Sequence, residues 1–185
     1  MSLTPFQELV RRRRSIRRFR PDPVDRADII TCLEAARLAP SASNVQPWRF
    51  LVVDDPELKD RLAKAAFSGI YRMSNFVADA PVIIVLLAKK DIVANRLGRA
   101  VQGVSYYLID LGIAGQHLAL QAEELGLGTC WVGWFNIRKT RKVLKIPRKY
   151  KIVAMMPFGH ILKRPSRPLL RKPLEEVAWW NRVED

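Results

Sequence analysis

Cysteine and histidine are scarce in this chain, and acidic residues are missing from a long stretch of it. The 185 residues hold two cysteines and two histidines. Cys32 and Cys130 stand far apart with no second ligand beside either. No zinc spacing exists, and a disulfide framework is excluded. One bridge stays open, with a reduced, intracellular protein as the expectation. His117 and His160 are the only imidazoles, which leaves no triad in view. Asp110, Glu123 and Glu124 form no obvious acid–base pair. No lysine follows a glycine-rich turn as a phosphate loop requires, and Trp131 stands where a dinucleotide fingerprint needs glycine. The longest apolar run, Ala80 to Ala88, is too short for a membrane helix of about 20 residues. The N-terminus lacks the apolar core of a signal peptide. The expectation is a soluble, cytoplasmic protein that takes any demanding chemistry from a bound cofactor.

Basic residues are plentiful. Lysine and arginine number 32 against 18 acids, a net charge of +14. Seven arginines fall within residues 11–20, and no acid separates Glu124 from Glu175. Such a balance predicts a phosphorylated or polyanionic partner without saying which. Hydrophobic content of 49% and the chain length fit a single globular domain over 1–185.

Apolar spacing predicts a first helix over Thr4–Arg14, and a second from the Asp25 cap to the stop at Pro40. A strand over Arg49–Asp54 and a helix from Pro56 to Phe67 follow. Pro81–Ala88 reads as a central strand covered on both faces. A long helix is expected from about Asn95 to Leu125, roughly 45 Å in length. Gly112, Ala114 and Gly115 put small residues in its middle, for close packing inside one subunit or between two. Glycines 126 and 128 end it. Thr129–Phe135 and Lys151–His160 read as strands, Thr140–Leu144 as a short helix, and the tail from Leu174 as helical. Intermixed helices and strands predict an α/β or α+β domain.

Four segments, in order, resemble the FMN-dependent nitroreductase family. They are Arg13-Arg14-Ser15-Ile16-Arg17-Arg18-Phe19, the run from Ala39 to Trp48, the run Gly126-Leu127-Gly128-Thr129 with Trp131-Val132-Gly133, and Arg171 to Val177. The resemblance spans about residues 6 to 178. It implies a mixed central sheet of four or five strands with helices on both faces. It also implies a homodimer with FMN at the interface and the long helix forming much of that interface.

The resemblance further implies a ping-pong oxidoreductase. NADH or NADPH would pass a hydride to the flavin N5, and a nitroaromatic, quinone or similar electron-poor acceptor would then take it. No side chain need act as a catalytic acid or base. Arg13, Arg14 and Ser15, with Arg171 and Lys172 from the tail, are the expected phosphate ligands; guanidinium forks and a hydroxyl suit that group. Arg17 matches a cation that would stabilise negative charge on the reduced ring. Pro40, Ser41, Ala42 and Asn44 match a loop that family members supply from the second subunit. Val132, Gly133 and Trp134 match the strand end beside the ring, where Gly133 permits close approach. Trp131, Phe67, Tyr71 and Phe135 are candidate pocket walls, more often core. Residues 68–79, with Arg72 or Asn75, are where a pyridine-nucleotide contact is expected.

Two rival readings accompany this one. Residues 11–20 and 138–151 would also suit a basic nucleic-acid-binding protein, although no known nucleic-acid module is visible. A flavoprotein of the same family with an oxygen-using, dehalogenating or dehydrogenating reaction would carry the same motifs.

Overall fold

The most apolar segment of the chain forms the middle of a sheet. In the computed structural model, which describes residues 2–89 and 103–183, β2 (Val82–Lys89) is buried at every position except Lys89. Alternate side chains of a strand point to opposite faces. Val82, Ile84 and Leu86 therefore enter one core, and Ile83, Val85 and Leu87 enter another. β1 (Trp48–Val53) and β4 (Tyr150–His160) flank β2, and β3 (Leu127–Thr129) lies outside β4. All three strand pairs are antiparallel. The sheet's parallel pairing comes from Ser15, which bridges Thr129, in a broken edge segment that also bridges Phe19 to Ile161.

Helices cover both faces, as an α+β domain requires. α2 (Arg26–Arg37) and α4 (Tyr106–Glu124) pack over the first core. α3 (Pro56–Ala66), a 3-10 segment (Gly69–Asp79) and α5 (Ile137–Val143) pack over the second. α1 (Pro5–Arg12) begins at a capping box in which Thr4 and Gln7 satisfy each other's backbone N–H groups. Asp25, Asp55 and Asn136 cap α2, α3 and α5 in the same sense. The two free cysteines are buried in different cores, Cys32 in the first and Cys130 in the second. Among the described residues, no helix is long and apolar enough to cross a membrane.

Several boundaries differ from expectation. The long helix starts at Tyr106, not near Asn95, because Gly103 has φ +71° and residues 103–105 are not helical; the expected turns over 95–102 lie outside the described residues. Its 19 residues give roughly 28 Å. The strand expected over Thr129–Phe135 is instead Leu127–Thr129 followed by one bridge from Val132 to Met155. Gly126, at φ +77°, turns the chain straight from α4 into the sheet, so pairing starts early. After Val132 the chain leaves the edge, which lets Phe135 enter the second core. The short helix begins at Ile137, and the tail forms one 3-10 turn at Leu174–Glu176.

Gly159 marks a close crossing. A Cβ there would lie 2.5 Å from Cδ of Pro81, whose ring cannot swing away. Gly159→Ala is expected to destabilise the fold by about 1–3 kcal/mol, as over-packing of a close-packed interior does. Urea unfolding at matched protein concentration measures it.

Candidate functional site

The arginine-rich stretch is held where α1 stops. Arg13 is already extended, at φ −60° and ψ 125°, and the chain then runs beside β3. Ile16 N–H donates to the Thr129 carbonyl at 2.8 Å. Extended alternation sends Ile16 into the core, fully buried, and leaves Ser15 and Arg17 on the other side. Their neighbour there is Cys130. Burial pushes the Cys130 thiol up, against the opposing pull of Arg17, a hydrogen bond with Ser15, and Arg13. The Arg17 guanidinium also stands 5.6 Å from the Phe76 ring centroid, a cation–π distance.

Two hollows border this strip. One, of about 470 Å³, is lined by Arg17, Met73, Ser74, Phe76 and residues Cys130 to Trp134. The other, of about 680 Å³, is lined by Val10, Arg11, Arg13, Gln116, Leu169 and Arg171. Both volumes lie within the usual range for small-molecule sites, roughly 300–1,000 Å³. A hydrogen bond from Trp131 Nε1 to Gln116 Oε1, 3.4 Å long, links a lining residue of the first to one of the second. Neither lining contains a carboxylate. The first is aromatic and apolar with one cation; the second is basic. A molecule with a planar ring at one end and a phosphate at the other fits that division. Gly133 has open space where a Cβ would sit, so a ligand can approach its backbone. Gly115 has the opposite use: a Cβ there would overlap the Trp131 ring, so the glycine seats that ring against α4.

The expected site residues divide between these places. Arg17, Val132, Gly133 and Trp134 meet at the first hollow; Arg13 and Arg171 meet at the second. Ser15 lines neither; its side chain hydrogen-bonds with Cys130, which lines the first. Arg14 instead donates to the Arg167 carbonyl at 2.6 Å, and Lys172 pairs with Glu176 at 3.3 Å. Trp134 Nε1 donates to the Ile70 carbonyl, and its ring stands 5.2 Å from Tyr71. Phe67 and Phe135 are core residues. His117 and His160 each face a backbone carbonyl, of Ala35 and Pro23. Gly115 and Ala114 pack within the subunit, whereas Gly112 is exposed near Leu108 and Ile109.

Pro40, Ser41, Ala42 and Asn44 line neither hollow. Their loop is tightly built. Ser43, Asn44 and Gln46 have φ of +51°, +53° and +49°, left-handed values that non-glycine residues seldom adopt. Gln46 donates to Ser41 Oγ from its backbone and to Asn44 Oδ1 from its amide. Ala42 N–H donates to Asp110 Oδ1 at 3.0 Å, tying the loop to α4. Burial raises the Asp110 carboxyl above its ordinary value of 3.8, against the lowering effect of that bond. A group raised by folding adds stability below its unfolded value and loses it as pH climbs through the folded value. Asp110→Asn keeps the acceptor and removes the charge. It is therefore expected to raise Tm by a few degrees at pH 7 and to change it little at pH 3, as thermal melts would show.

Sequence reasoning missed Cys130 and Gln116 as lining, and within 68–79 it named Arg72 or Asn75 where the lining holds Met73, Ser74 and Phe76. It also missed the partnership of Glu123, whose buried carboxylate takes hydrogen bonds from Arg12 and Arg164. A signal existed for Glu123: it falls on the apolar stripe of α4 that holds Leu111, Leu118, Ala119 and Ala122.

The family model "Nitroreductase family" matches residues 10–74 and 71–160. This chain belongs to the nitroreductase family. A "NADH dehydrogenase" of Thermus thermophilus is 32% identical to it, over 92% of this chain and 93% of the other. Among solved structures, a nitroreductase family protein of Clostridium difficile 630 superposes with a TM-score of 0.80 at 31% identity, covering 95% and 98%. An "FMN-dependent Nitroreductase" of Clostridium difficile R20291 superposes at 0.76 with 27% identity, covering 95% and 98%. Other nitroreductase relatives carry the names iodotyrosine deiodinase and 5,6-dimethylbenzimidazole synthase. The four motifs read from the sequence thus sit in a nitroreductase fold.

Proposed function

We propose that this chain is an FMN-dependent oxidoreductase that transfers a hydride from NADH or NADPH to an electron-poor acceptor such as a nitroaromatic or a quinone. The observation that carries the reading is the paired hollows: an aromatic one with Arg17 at its wall, joined to a basic one holding Arg13 and Arg171. The FMN-dependent relative supports the cofactor, and relatives named NAD(P)H nitroreductase support the donor and the reaction class. When bound, FMN supplies reversible hydride chemistry.

The chain's own residues hold, orient and tune. Arg13 and Arg171, with Ser15 nearby, hold the phosphate through charge-assisted hydrogen bonds. Arg17 presents a fixed cation to the ring compartment and favours negative charge there. Val132, Gly133 and Trp134 set the ring's edge, with the Gly133 backbone open to it. Trp134 and Met73 wall the side where donor and then acceptor enter in turn, so one compartment serves both half-reactions. Pro40, Ser41, Ala42 and Asn44 serve the partner subunit's site across a homodimer. The exposed face of Leu108, Ile109 and Gly112 on α4 is the part of that helix left to meet a partner.

Anaerobic absorbance spectroscopy tests this. The purified protein, supplied with FMN, is expected to show bands at about 370 and about 450 nm that bleach on addition of NADPH or NADH. A bound flavin that neither donor bleaches would remove the proposed donor. No flavin binding at all would overturn the reading and favour a polyanion partner for the basic surface.

A further inference from the structure

We infer that Glu123 is a positioning residue that sets the geometry of the phosphate compartment from beneath it. The inference rests on the flavin reading above and assigns a role to a residue that touches no ligand. Glu123 ends the buried stripe of α4, and its side chain is 2% exposed. Its Oε1 accepts from Arg12 Nε at 3.1 Å and from Arg164 Nη2 at 2.9 Å. Its Oε2 accepts from Arg164 Nη1 at 3.2 Å, so Arg164 grips it with both prongs. The same Nη1 also donates to the Arg12 backbone carbonyl at 3.3 Å.

These bonds join the two walls of the basic hollow. One wall is the end of α1, with Val10, Arg11 and Arg13; the other is the tail, with Leu169 and Arg171; Gln116 of α4 lies between. Arg12 immediately precedes Arg13, and Arg164 precedes Leu169 and Arg171 by only a few residues. One buried carboxylate therefore links the helix end, the tail and α4. Arg14 adds a second tie by donating to the Arg167 carbonyl.

Electrostatics also requires it. Arg11, Arg13 and Arg171 repel one another, and the tail has no acid of its own before Glu175. Glu123, with Glu124 accepting from Arg12 at 2.9 Å, balances Arg12 and Arg164 behind the hollow and leaves the lining cations to an anion in front. Buried ion pairs are often no more stabilising than apolar residues of equal volume. A geometric role accounts for a charge at this position where a stability role does not.

The test compares FMN with riboflavin, which lacks the phosphate, by flavin-fluorescence titration of the whole protein. Glu123→Gln keeps shape and loses charge. It is expected to weaken FMN binding about tenfold and to leave riboflavin affinity within about twofold, with ordinary far-UV dichroism. Arg164→Met repeats the test from a half-exposed partner should Glu123→Gln fail to fold. Parallel losses for both flavins, or no loss for either, would overturn the inference and make the network merely structural. Wild-type protein that binds FMN no better than riboflavin would instead overturn the phosphate site, a separate failure seen before any variant is made.

Discussion

Replacing Arg13 and Arg171 together by alanine is expected to weaken FMN binding by at least about a hundredfold. Hydrogen bonds to charged groups contribute about 1.5–3 kcal/mol each, and about 1.4 kcal/mol is tenfold in affinity. Two such residues give about 3–6 kcal/mol. Arg171 gives one donor to the Leu170 carbonyl at 2.7 Å, which leaves the rest of its five N–H groups for a phosphate. Arg13 has no ion-pair partner among the described residues. Isothermal calorimetry with FMN at fixed salt measures the loss. The same double variant should also flatten the salt dependence of binding, because two cations no longer meet the anion. An unchanged Kd would move the phosphate away from the basic hollow.

Phe158→Ala is expected to cost about 3–5 kcal/mol of folding stability. Phe158 is fully buried on β4 and pairs with Val82 on one side and Thr129 on the other. Its ring belongs to the first core, which α2 and α4 cover, so truncation leaves a cavity among buried neighbours. Domains of this size are stable by about 5–15 kcal/mol, so the loss takes much of the total. Chemical denaturation read by far-UV dichroism shows it as a lower midpoint with an unchanged slope. A loss under about 1 kcal/mol would mean that the core refills the cavity. The effect on flavin binding should be indirect, since Phe158 lies behind Thr129 and not on either hollow.

Much of this was legible in the residues. The apolar run at 82–88 could only be a strand covered twice, and period-two alternation divides it between the two cores. Helix starts were readable from Thr4, Asp25 and Pro56: the first two satisfy backbone N–H groups that would otherwise be orphaned, and proline has no N–H to lose in a first turn. Arg13, Arg17, Gly133 and Arg171 were named from the family resemblance, and the structure sets all four on the two hollows. Distances across the sequence were not readable. Nothing local in Arg14 says that it will reach the Arg167 carbonyl, or in Lys172 that it will find Glu176 first. Gln116 became visible as lining only once α4 was laid beside Trp131. The 3-10 character of 69–79 was hidden too, because its apolar residues follow neither a strand's period nor a helix's.

Trp131 remains, its ring seated over Gly115 and its indole N–H on Gln116. It acts as a partition between two rooms. Residues 73, 76 and 134 line the aromatic room and not the basic one, so changes there are expected to leave the basic lining intact. Under the flavin proposal, such an arrangement would let the phosphate anchor be kept while the lining of the acceptor side changes.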